Sequence, residues 1–177
     1  TSLDLQPDQP APFRCGSCTR CIDACPTDAL VPTGQQDGPA YTLNSNQCIA
    51  YWNIELRGSL PEAARSAMGG QLFGCDICQD VCPWNSRAAV TEADEFQPHN
   101  ALPELEKVAA LSPDEFDRRF ADTPINRSRY RGFLRNIAVA MGNSGEKRYL
   151  EPLERMAHSP DPVIAEHALW AISILRG

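Results

Sequence analysis

Polar and apolar positions change their rhythm about halfway along this chain. From about residue 100 apolar residues recur at helical spacing. The segment "ALPELEKVAAL" predicts a short helix. "SPDEFDRRFAD" predicts another, with Ser112 as N-cap, Pro113 at the first helical position and Glu115 closing a capping box. "INRSRYRGFLRNIAVAMG" puts Leu134, Ile137, Ala138 and Met141 on one face and predicts a stop at Gly142–Asn143. "KRYLEPLERMA" and "PDPVIAEHALWAISIL" complete the series, the last burying Val163, Ala168, Trp170 and Leu175. Paired helices joined by short polar turns predict an all-α, HEAT-like repeat over residues 98–177. With two repeats or fewer, it has to lean on the rest of the chain or on another domain.

The first half lacks that period and is punctuated by cysteine, proline and glycine. One helical insertion stands out in "SLPEAARSAMG": Ser59 is the expected N-cap, Glu62 sits at capping-box spacing, Pro61 falls in the first turn and Gly69–Gly70 is the stop. Before it, "CIAYWNIELRG" is dense in aromatic and branched residues. The predicted fold class is therefore α+β, a small cysteine-bearing domain over 15–97 followed by the helical one. The chain starts at Thr1, and the proline-punctuated "LQPDQPAPF" reads as a linker (1–14) leaving a further domain of a larger protein.

Composition narrows the function. The 177 residues carry a net charge of -7, which argues against a uniformly basic surface while leaving room for a local patch. No apolar run approaches the roughly 18 residues of a membrane span. A cytoplasmic, monomeric protein is expected. No phosphate loop, dinucleotide fingerprint or Ser-His-Asp arrangement is present, and His99, His158 and His167 have no partners at metal or triad spacing. His167, beside Trp170 on a helix, is expected to be packed or at the surface.

The eight cysteines all lie in the first half. Two zinc sites would use all of them but would not explain "CGSCTRCIDACP". That run is C-x2-C-x2-C-x3-C-P, in which three thiolates hold one [4Fe-4S] cube and the fourth reaches the other. "CDICQDVCP" repeats its end, with Leu72 where another cysteine would stand, and Cys48 replaces it from across the insertion. The predicted sets are Cys15, Cys18, Cys21 and Cys82 for one cluster, and Cys25, Cys48, Cys75 and Cys78 for the other. Tyr51 and Trp52 either pack over a cluster or touch a second cofactor or domain.

Charge segregates in the helical half. Arg127, Arg129, Arg131 and Arg135 occur without an acid among them, and Arg127, Arg131 and Arg135 stand at i, i+4 and i+8. Lys147 and Arg148 follow after the next turn. Either this is a solvated face paired with acids such as Asp114 and Asp117, or it meets phosphate, for which the arginine fork is suited.

Taken together, "CGSCTRCIDACPTDAL", "CIAYWNIELRGSLP", "FGCDICQDVCPWN" and "TPINRSRYRGFLRNIAVAMGNSG" resemble the C-terminal portion of the epoxyqueuosine reductase family, from about Phe13 to Gly177. The resemblance implies a bacterial-type two-[4Fe-4S] ferredoxin-like domain ahead of the HEAT-like one. It implies a cobalamin-dependent reductase that converts epoxyqueuosine to queuosine at the wobble position of tRNA with a GUN anticodon. The clusters would take electrons from an external donor and pass them singly to the corrinoid. Tyr51, Trp52 and Asn53 would then lie toward the cofactor. Arg127, Arg131, Arg135, Lys147 and Arg148 would contact the anticodon stem-loop or a domain interface. The family's N-terminal domain, which holds most of the cobalamin and the proposed catalytic acid, is not in this sequence, so turnover is not expected of this piece alone. A reductive dehalogenase would also join a corrinoid to two clusters, without needing the arginine-lined helices. A plain ferredoxin-type carrier would leave those helices as scaffold.

Overall fold

The structure is a computed structural model, which describes residues 2–8, 14–35, 39–97 and 104–177. Its first half is built from short elements because thiol-bearing turns interrupt every run. Helix α1 (Arg20–Asp23) is followed by strands β1 (Leu30–Pro32) and β2 (Tyr41–Leu43), then by α2 (Ile49–Ile54), α3 (Glu62–Ala67) and α4 (Ile77–Asp80). The strands form an antiparallel pair in the register Leu30↔Leu43, Val31↔Thr42 and Pro32↔Tyr41.

The second half is helical, as its period predicts. It comprises α5 (Leu105–Ala109), α6 (Pro113–Phe120), α7 (Arg129–Asn143), α8 (Leu150–Ala157) and α9 (Pro162–Arg176). The start of the first predicted helix, like His99, lies outside the described residues. The capping box at α6 is present in both directions, Ser112 accepting from the Glu115 amide and the Glu115 side chain accepting from the Ser112 amide. Helix α7 is the central rod. Leu134, Ile137, Ala138 and Met141 face an apolar core shared with Phe116, Phe120, Leu153 and Ala168. Val163 and Trp170 are half-buried rather than fully so, while Ala168 and Leu175 are buried as expected. Among the described residues no helix is long and apolar enough to cross a membrane.

One predicted helix cap is corrected. Ser59 is not the cap of α3, which begins at Glu62 after an extended Pro61 and has no side-chain cap. Its hydroxyl lies too far upstream and donates instead to Glu166 on α9. Helix α7 stops where expected, at Gly142–Asn143. The helix runs through Asn143, and the turn beyond it comes at Gly145, whose φ of +72° suits glycine.

A second, smaller core joins the halves. Ile49, Trp52, Leu60, Ala64 and Met68 pack with Val139 of α7, and Trp170 of α9 lies against them. The few helical repeats thus rest on the insertion between Cys48 and Cys75.

Candidate metal centres

The two cysteine motifs fold alike. Cys18 closes a turn by donating its amide to the Cys15 carbonyl (3.0 Å), and α1 carries Cys21 and leads to Cys25. In the other motif α4 carries Cys78 and leads to Cys82. The amides of Cys25 and Cys82 both reach back three residues, to Ile22 and Gln79, each at 3.2 Å. Pro26 and Pro83 then turn the chain away from the helical path.

The consequence is a crossing. Cys15, Cys18, Cys21 and Cys82 line one hollow, with Arg20, Pro83 and Trp84 also lining it. Cys25, Cys48, Cys75 and Cys78 line another, walled by Ala29, Leu30, Leu43, Ile49 and Ile77. Each motif therefore sends its last cysteine into the hollow of the other. All eight are thiols without disulfide partners. Among the described residues no three His, Cys, Asp or Glu side chains converge closely enough for a single metal ion. Four thiols around a hollow, rather than around a point, fit a cube better than zinc.

The two hollows differ in setting. At the first, Cys15 and Cys18 are exposed and Trp84 is 62% exposed. At the second, all four thiols are half-buried, and Cys75 packs on the small core. Burial pushes the Cys21 and Cys75 thiols above their usual range. Burial acts the same way on Cys25. There it is outweighed by hydrogen bonds from the Thr27 hydroxyl and from backbone amides including that of Ala29, and the thiol is lowered. Thr27 and Ala29 were not candidates in the sequence.

Cys48 is the residue before α2, so the next residues of that helix lie beside the second hollow. Trp52 is buried and donates its indole N–H to the Asn46 carbonyl at 2.8 Å. Asn53 is buried as well. Its Nδ2 donates to the carbonyls of Gln71 (3.2 Å) and Gly74 (2.8 Å), and its Oδ1 accepts from the Gly74 amide (3.0 Å). Both residues thus use their polar atoms inside the chain, Trp52 on the backbone just before Cys48 and Asn53 on the backbone just before Cys75. Tyr51 is half-buried and packs beside them.

The arginines divide into two groups. Arg135 is 0% exposed, which removes it from any surface patch. Its guanidinium donates to the carbonyls of Trp52 (2.5 Å), Leu56 (2.7 Å) and Gly58 (2.7 Å), and to Asn136 Oδ1. Burial and the nearby Arg57 charge lower its pKa to about 10, so it stays cationic at neutral pH. Arg127, Arg131, Lys147 and Arg148 are exposed. Arg127 lies in a 3-10 turn before α7, not on the helix, and pairs with Glu55. Arg131 pairs with Asp161, and Arg148 with Glu146 and more distantly Glu106. The acids are not the Asp114 and Asp117 suggested by the sequence. Such exposed pairs are weak and can exchange for other anions.

His167 is buried and neutral. Its Nε2 accepts from the Leu60 amide at 3.1 Å, while Nδ1 faces the Val163 carbonyl at 2.7 Å. Burial lowers its pKa to about 4. Beside it, Arg65 and Ser59 both bond Glu166 across the joint.

Residues 14–85 match the 4Fe-4S double cluster binding domain family. The chain is 41% identical to the epoxyqueuosine reductase of Xanthomonas campestris, aligned over 97% of this chain and 47% of the relative. For the Escherichia coli K12 epoxyqueuosine reductase the identity is 38%, over 97% and 44%. A crystal structure of epoxyqueuosine reductase with an epoxyqueuosine-modified tRNA-Tyr stem loop superposes with a TM-score of 0.82 at 34% identity, covering 96% of this chain and 44% of that one. The chain thus spans a little under half the length of the relatives it matches.

Proposed function

The chain belongs to the epoxyqueuosine reductase family, and on that premise we propose that it is the electron-transfer and tRNA-binding portion of a reductase converting epoxyqueuosine to queuosine. The observation that carries this reading is the crossed grouping of eight cysteines around two hollows. A bare electron carrier would need the same cysteines but not the arginine-bearing helices docked behind them.

Within this reading the protein's own residues have distinct tasks. The crossed thiolates would hold two [4Fe-4S] clusters and so tie the two motifs to each other. Such cubes take and release electrons singly at low potential. Thr27 and the Ala29 amide donate toward Cys25 sulfur, stabilising negative charge there. The apolar wall of Leu30, Leu43, Ile49 and Ile77 limits water at the second cube. A corrinoid, bound mainly by residues beyond this chain, would supply the reducing centre that acts on the epoxide. Of the three residues expected toward it, Tyr51 is the most exposed. No side chain here is placed as the proton donor.

Arg127, Arg131, Lys147 and Arg148 supply the exposed positive charge for an anticodon stem-loop, where phosphate contacts dominate affinity. The bound RNA would displace Glu55, Asp161 and Glu146 from their arginines. The reading is tested by purifying the chain without oxygen and measuring iron, sulfide and the electron paramagnetic resonance spectrum after reduction. About eight irons and two interacting signals are expected; zinc without sulfide would overturn it.

A further inference from the structure

We propose that Asn136 and Arg135, on the central helix of the HEAT-like domain, are positioning residues for the cluster held by Cys25, Cys48, Cys75 and Cys78. The inference rests on the two-cluster reading and adds to it: the helical domain sets the geometry of one cluster and not of the other.

Asn136 is 0% exposed and donates from Nδ2 to the carbonyls of Asn53 (2.7 Å) and Leu72 (2.8 Å). Asn53 in turn clamps Gly74 through both its amide and its carbonyl. Gly74 has a φ of +74° and immediately precedes Cys75. An unbroken chain of hydrogen bonds therefore runs from α7 to the backbone next to one ligand. The same Asn53 sits on α2, the short helix that Cys48 opens. Arg135 grips the far end of that helix at the Trp52 and Leu56 carbonyls.

Its chemistry suits positioning. Arg135 has no carboxylate partner among the described residues, and its donors go to three backbone carbonyls and to Asn136. A buried cation held this way is costly to place, and it is tolerated where rigid geometry is gained. Asn136 completes the unit by accepting from Arg135 Nε (3.1 Å) and Nη2 (3.0 Å). Among the described residues the first hollow has no comparable tie. Its lining comes from residues 15–21 and 82–84, none of which takes part in these bonds.

The test uses the 177-residue chain, reconstituted anaerobically, with iron content, paramagnetic resonance spectra and midpoint potentials as readouts. Cys48→Ala and Cys82→Ala supply reference spectra in which one or the other cluster is missing. Asn136→Ala is expected to lose, broaden or shift in potential the signal that Cys48→Ala abolishes, with the other signal unchanged. Arg135→Lys keeps the charge but not the fork and is expected to do the same more mildly, which keeps the test open if Asn136→Ala does not fold. Ile137→Ala, a packing change at the neighbouring position, is expected to lower stability with both signals intact. The proposal is overturned if both signals change together, if neither changes, or if Ile137→Ala reproduces the selective effect. A wild-type chain with fewer than two cluster signals overturns the underlying reading instead.

Discussion

Gly142 on α7 crosses Ala171 on α9 so closely that a methyl group at position 142 would lie 2.8 Å from the alanine Cβ and 2.9 Å from its Cα. Trp170 would be 3.1 Å away. The two Ala171 atoms are fixed to the α9 backbone and cannot swing aside.

Gly142→Ala is therefore expected to destabilise the helical domain. Alanine favours a helix over glycine by roughly 1 kcal/mol, but overpacking at a fixed crossing costs about 1–3 kcal/mol. A fall in the urea midpoint, with iron content unchanged, is the predicted result. A more stable variant would show that the two helices separate easily.

The sequence made some of this legible and hid the rest for physical reasons. Cysteine spacing is a local code, because each ligand must lie at a fixed backbone offset, so the pairing of Cys25 with the later motif could be read directly. Helix periodicity likewise exposed the Leu134–Met141 face. Arg135 was misplaced because i, i+4, i+8 spacing describes a helix face but not what covers it. Arg127 departs from that face because its 3-10 turn precedes the helix. The roles of Asn53 and Asn136 depend on carbonyls between 18 and 83 residues away in sequence, which no local pattern encodes. One signal was available: Arg135–Asn136 are polar residues flanked by an apolar run that turned out fully buried.

The crossed cluster assignment gives a prediction that chain adjacency would not. Cys82 lies nearer in sequence to Cys75 and Cys78 than to Cys15, yet it lines the hollow of Cys15, Cys18 and Cys21. Cys82→Ala should reduce iron from about eight to about four per chain. Thiol labelling should then find Cys15 and Cys18 newly reactive while Cys75 and Cys78 stay protected. Labelling of Cys75 and Cys78 instead would refute the crossing.

The exposed cations should matter for RNA in a particular way. Arg131→Glu and Lys147→Glu are each expected to weaken binding of an anticodon stem-loop, with the slope of its salt dependence reduced by about one unit for each phosphate no longer neutralised. Fluorescence anisotropy across a salt series measures both quantities. Unchanged affinity and slope in both variants would assign this charge to surface solvation.

His167 makes the joint between the halves sensitive to acid. Its folded pKa of about 4 lies below the usual value of 6.5, chiefly through burial, with Arg65 and Arg135 adding repulsion and Glu166 opposing them. The unfolded chain therefore binds more protons between those two values, and stability must fall as pH drops through that window. It is retained in full above about pH 6.5, where both states are neutral. Glu166 acts in the same direction, since its bonds to Ser59 and Arg65 hold its pKa below normal and are weakened on protonation. The His167 contribution can be isolated with His167→Gln, whose carbonyl can still accept from the Leu60 amide but takes up no proton. Urea unfolding of the two proteins should show the wild type losing roughly 3 kcal/mol relative to the variant between pH 6.5 and pH 4. Parallel stability curves would mean that protonated His167 is accommodated at the joint, and the tight seat seen around Leu60 and Val163 would have to open at little cost.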